Sequence, residues 1–173
     1  MTTASVDEQR PPLAARLAEN PDGILEQIAR DYGVSTGEVV KNLPPEHCSV
    51  VAGDRFQDVM DDVTSWGEIL FIVHTPDIVL ECKGPLPPGS YGRGYYNLHG
   101  DSPIGGHICE GFCAMIAFVA RPFMGRASRS IQFFNAAGEA VFKIFVARDA
   151  AREMLPDQVA KFDALRQRLS SAA

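Results

Sequence analysis

The chain has 173 residues, 46% of them hydrophobic and 22% charged, with a formal net charge of −6. That is enough chain for one domain with its own core, and the negative total argues against a protein that holds DNA or RNA by charge alone. No run approaches the roughly 20 apolar residues of a membrane span, and Met1 to Gln9 lacks the apolar segment of a secretory signal, so a cytoplasmic protein without membrane insertion is expected.

Residues 1–12 are polar and end in Pro11-Pro12, which predicts a disordered tail before a single domain over 13–173. A short helix is expected from Leu13 to Ala18, broken by Asn20-Pro21-Asp22-Gly23. Ile24, Leu25, Ile28, Ala29 and Tyr32 recur at helical spacing up to Gly33, and Ser35 with Glu38 forms a capping box for a further helix carrying Val39, Val40 and Leu43. The pair has the outline of a helix-turn-helix. Thr36, Glu38 and Lys41 are a poor set for a DNA groove, so two packed helices closing one end of the domain are expected instead. Another helix is predicted over 54–65, with Phe56, Val59, Met60 and Val63 as its buried stripe.

The period then changes to that of strands. β-rich runs are expected at Glu68 to Thr75, Asp77 to Lys83, Tyr95 to His99, Ile104 to Cys109, Cys113 to Arg121, Arg129 to Asn135 and Glu139 to Ala147. Gly84 to Gly89, with three prolines, reads as an irregular connection. Short links make neighbouring strands antiparallel. Pro156 then opens a last helix with Val159, Phe162, Leu165 and Leu169 on one face. The fold class is α+β: N-terminal helices, a largely antiparallel sheet of about seven strands, and a C-terminal helix.

Chemistry concentrates between Gly89 and Cys109. His107 follows Gly105-Gly106, which suits either the close approach of a flat cofactor or a bend at a sheet edge. His74 lies in FIVHTPD, where alternation sets Ile72 and His74 on one face and Phe71 and Val73 on the other. It is either a metal ligand or a hydrogen-bonded strand residue. GSYGRGYYNLHG adds tyrosines whose phenols bind ferric iron when exposed to it. Arg121, Arg126, Arg129 and Lys143 are either carboxylate partners or surface charges. Cys48, Cys82, Cys109 and Cys113 lack the paired spacing of a zinc site and read as reduced thiols. No nucleophile elbow, phosphate loop or dinucleotide fingerprint is present.

PGSYGRGYYNLHGDSPIGGHI, then FVARPFMGRASRSIQFFNAAGEAVFKIFVARD and a later DQV, resemble the HutX/HuvX/ChuX family of bacterial haem-utilisation proteins. The resemblance runs roughly from Leu13 to Leu169 and is densest from Gly89 to Asp149. It implies a cytoplasmic homodimer that takes imported haem (haem b) and passes it to a haem-degrading enzyme or to iron metabolism. It implies His74 and His107 as iron ligands, Tyr91 or Tyr96 as alternatives, and Arg121 and Lys143 as partners of the haem propionates. A thiolate from Cys109 is a further possible ligand. A carrier is the leading reading; degradation of haem is the alternative, and a DNA-binding regulator the third.

Overall fold

The computed structural model describes residues 10–172. Of the tail expected over 1–12, residues 1–9 lie outside the described residues. Beyond them, Arg10 sits over the Tyr32 ring at 5.1 Å, and the Tyr32 hydroxyl donates to the Pro11 carbonyl at 3.0 Å.

Helices α1 (Leu13–Glu19), α2 (Leu25–Tyr32) and α3 (Thr36–Lys41) come first. Gly33 ends α2 at φ +64°, the left-handed conformation a side chain resists. Ser35 Oγ accepts the Glu38 N–H at 3.1 Å and starts α3. Val39 and Val40 of α3 are fully buried and pack with Leu17, Leu25 and Ile28 against Ala117, Val119 and Phe134. The α2–α3 pair therefore serves as a packed cover, its apolar face spent on a sheet.

The strands are β1 (Cys48–Ala52), β2 (Glu68–His74), β3 (Val79–Pro85), β4 (Gly89–Gly92), β5 (Tyr95–Leu98), β6 (Gly106–Cys109), β7 (Met115–Phe123), β8 (Arg126–Phe134) and β9 (Ala140–Phe145). A 3-10 turn (Gly53–Arg55) leads into α4 (Phe56–Val63), and α5 (Pro156–Ser170) closes the chain with Pro156 in its first turn. Six strands form one sheet in the order β1-β7-β8-β9-β2-β3, and β4-β5-β6 form a second, with every pairing antiparallel. The α+β class and the order of helices, strands and final helix agree with the sequence reading.

Two of the nine described strands escaped it. β1 (CSVVA) is a five-residue edge strand wedged between a helix end and a 3-10 turn, too short for alternation to register. β4 (GSYG) is half glycine, and its extended form comes from pairing with β5 across a two-residue turn. In that turn Arg93 and Gly94 both have positive φ, the geometry that matches strand twist.

The large sheet is covered on both faces. Helices α1–α3 lie on one. The other carries α4, α5 and the small sheet around Phe118, Phe133, Phe142 and Phe162. Phe133 and Phe142 stack at 4.3 Å, and Phe56 meets Tyr96, Phe112 and Phe133 edge-on.

The N-terminal cover is latched to the β7–β8 hairpin. Asp22 accepts the Met124 and Gly125 N–H groups, each at 2.8 Å, and Arg121 donates to the Pro21 carbonyl at 2.9 Å. The Gly125 N–H, helped by those of Gly23 and Met124 and by Arg121, outweighs burial and holds the Asp22 carboxyl below its ordinary value of 3.8. A carboxylate lowered on folding stabilises the folded state above the unfolded pKa, and loses that contribution as pH falls through the folded one. Amide exchange in α1 and α2 should therefore accelerate selectively in acid, and Asp22→Asn should show faster exchange at neutral pH with a weaker acid dependence. Equal acid dependence in both proteins would remove Asp22 from the latch.

Candidate functional site

The alternation of β2 decides the layout. Leu70, Ile72 and His74 face the side of the sheet that carries α1–α3, whereas Phe71 and Val73 face the side that carries the small sheet. Each side holds a groove of its own. His74, Arg121 and Lys143 are brought together in one groove, and His107 lines the other. Within one chain the two histidines do not converge on a single point.

The His74 groove has a volume of about 340 Å³. Its floor is the polar stripe Ser128, Ser130 and Gln132 of β8, all buried, and the Gln132 side-chain carbonyl has no partner. Lys143, on the neighbouring β9, is 6% exposed and forms a short ion pair with Glu26 from the first turn of α2. The other Glu26 oxygen lies 3.3 Å from His74 Nδ1. Burial pushes the Glu26 carboxyl upward, but the Lys143 ammonium outweighs it and the net shift is downward. Burial lowers Lys143 against the pull of Glu26, and lowers Arg121 to about 10, which leaves the guanidinium charged at neutral pH. The sequence reading missed Glu26. Its only signal was an acid in the first turn of a helix, which is common.

The His107 groove is larger, about 610 Å³, and lies between the large sheet and the small one. Phe71, Val73, Phe112 and Phe142 contribute from one side and Leu98, Ile104 and Ile108 from the other. Gly106 has φ +142°, and a Cβ there would meet open space. The pair of glycines therefore serves both readings of the sequence, a backbone turn and an unobstructed approach.

His107 sits opposite Asn97 in the β5–β6 ladder, and its Nδ1 is 2.6 Å from the Asn97 Oδ1. The rings of Tyr95 and His99 pack edge-on to it, each at 5.9 Å. Cys109, exposed, lines the same groove. The sequence singled out Tyr91 and Tyr96, yet it is Tyr95 that shares a face with His107. Tyr91 and Tyr96 are cross-strand partners on the other face of the small sheet and line neither groove. Tyr96 is 1% exposed, packed against Phe56, and its hydroxyl has no partner. Burial first, and then the Asp61 carboxylate, raise the Tyr96 phenol above its ordinary range; burial, followed by Glu110 and Asp61, raises Tyr91. Neither phenol is prepared as a phenolate.

Two of the thiols are equally quiet. Burial pushes Cys48 up to about 12 and Cys113 up to about 11, and all four cysteines are unpaired. Among the described residues no three histidine, cysteine or acidic side chains gather around a common point, so the chain offers no protein-only metal cage there. A metal brought in already chelated needs one lone pair and a wall for its chelator. The His107 groove supplies an imidazole and apolar sides of the size used for small-molecule ligands.

Residues 49–165 match the family described as haem utilisation ChuX/HutX. The chain is 36% identical over 167 residues to the intracellular heme transport protein HutX of Vibrio cholerae, covering 96% of this chain and 85% of that protein. A crystal structure of an Erwinia carotovora protein superposes with a TM-score of 0.90 at 46% identity, over 92% of this chain and 99% of the other. The heme-binding protein ChuX superposes at 0.85 with 43% identity, over 91% and 99% of the two chains. The chain belongs to the ChuX/HutX family of haem-utilisation proteins.

Proposed function

We propose that this protein is a cytoplasmic carrier that receives haem b in the His107 groove and surrenders it to a haem-degrading enzyme or another user of iron. The observation that carries the reading is an exposed imidazole at the rim of an apolar groove of about 610 Å³. A macrocycle laid against Phe71, Val73, Ile108 and Phe112, the partly exposed members of that lining, loses water from the face it buries, which is the main source of its affinity. The histidine then adds one directional bond to the iron. One protein ligand per haem suits a carrier, because release requires a single bond to break.

His74, with Arg121 elsewhere in the lining of the same groove, is proposed as a second haem-contacting position, with Lys143 reaching a propionate only when it exchanges Glu26 for that carboxylate. A homodimer is proposed across the β3 edge of the large sheet, where Val79 and Leu80 of β3 and Ile78 just before it are each more than half exposed. Such an edge offers unpaired backbone groups and apolar side chains to a second copy. No helix of the described residues is long and apolar enough to cross a membrane, as a carrier in the cytoplasm requires.

Adding ferric haem to the purified protein should give a saturable Soret band. If His74→Ala, His107→Ala, Tyr91→Phe and Tyr96→Phe together leave that band unchanged, the site assignment is wrong. Incubating the loaded protein with a reductant and oxygen separates the two activities. Stable haem is expected of a carrier, and release of a defined tetrapyrrole with repeated turnover would make the protein an enzyme.

A further inference from the structure

We infer that Asn97 is a positioning residue that sets which nitrogen of His107 is left free to bind a ligand; the consequence for haem rests on the function proposed above. The orientation of the Asn97 amide is fixed by its neighbours. Its Nδ2 lies 3.1 Å from the Ser90 carbonyl and 3.2 Å from the carbonyls of both Gly92 and Tyr95. Those three groups only accept hydrogen bonds. Rotating the amide by half a turn would set its oxygen against three carbonyl oxygens, so the NH2 belongs where it stands and Oδ1 must face His107.

An acceptor 2.6 Å from the ring nitrogen Nδ1 requires a proton on that nitrogen. A neutral imidazole carries only one such proton. Nε2 is therefore left as a bare lone pair, ready to bind a metal without first losing a proton. The edge-on rings of Tyr95 and His99 restrict rotation of the imidazole about this bond. The β4–β5 hairpin thus does two things at once. Its backbone carbonyls orient the amide, and the amide orients the ligand, as partners of metal-bound histidines do elsewhere. Nothing in the spacing of GSYGRGYYNLHG reveals it, because Asn97 and His107 meet only through the register of β5 and β6.

The direct test is nitrogen NMR of histidine side chains in the haem-free wild-type protein, at a pH where His107 is neutral, with His107→Gln for assignment. Asn97 as the positioning residue predicts the Nδ1–H form for His107, in contrast to the Nε2–H form that histidine prefers in water. Asn97→Leu should restore the Nε2–H form and weaken ferric haem binding by about 10- to 100-fold. An Nε2–H form in the wild type, or an Nδ1–H form that persists in Asn97→Leu, overturns the inference. The wild-type measurement does not depend on Asn97→Leu folding. If the wild type shows Nδ1–H and Asn97→Leu loses it while haem affinity stays the same, the positioning role stands and the assignment of His107 as iron ligand fails.

Discussion

His107→Ala is expected to weaken ferric haem binding by at least about 100-fold, the upper end of the loss seen when only the partner of a metal ligand is removed. The apolar groove survives the substitution, because Phe71, Phe142, Leu98 and Ile104 are untouched. Haem should therefore still associate weakly, with a Soret band shifted toward that of haem lacking a nitrogen ligand. External imidazole should restore most of the wild-type spectrum. His74→Ala should have the smaller effect, since its imidazole opens on the other groove. Stopped-flow transfer to apomyoglobin measures the difference as a release rate: fast for His107→Ala, and near wild type for His74→Ala. The opposite ranking would move the principal site to the His74 groove.

The second large effect concerns stability. Glu26→Ala leaves the Lys143 ammonium buried without its counterion. Breaking a buried ion pair in this way typically costs about 3–5 kcal/mol, a large share of the roughly 5–15 kcal/mol that holds a domain folded. Glu26→Leu together with Lys143→Met removes both charges and should recover most of that loss, because two apolar side chains of similar size need no partner. Denaturant unfolding of the three proteins reads the comparison. If Glu26→Ala costs no more than the double variant, the pair is solvated and the cover over that face rests on apolar contacts alone. The single variant should also free the start of α2, since Glu26 ties that helix to β9.

The elements most legible in the sequence are those whose signal is local. The N-cap at Ser35, the stop at Gly33, the stripe of α4 and the face of α5 all appear in the structure where short-range rules place them, although the Glu38 carboxylate turns to Asn42 and does not close the capping box. Alternation in FIVHTPD correctly sent His74 and Phe71 to opposite faces. Periodicity could not say what covers each face. His74 and His107 look like one site in the sequence because they fall in one β-rich region, but the large sheet lies between their grooves. The three tyrosines of GSYGRGYYN are separated by strand parity and by burial. β4–β5 pairing buries Tyr96, leaves Tyr91 on the face away from His107, and sets Tyr95 beside it. Glu26, Asn97 and His99 gained significance only through tertiary contacts, which no spacing rule encodes.

A crystal structure of the ferric haem complex of the wild-type protein tests the central claim most directly. The expected result is iron bonded to His107 Nε2, Nδ1 still held by Asn97, and the macrocycle laid against Phe71, Val73, Ile108 and Phe112. Iron bonded to His74 or to a tyrosine, with the His107 groove empty, would contradict it.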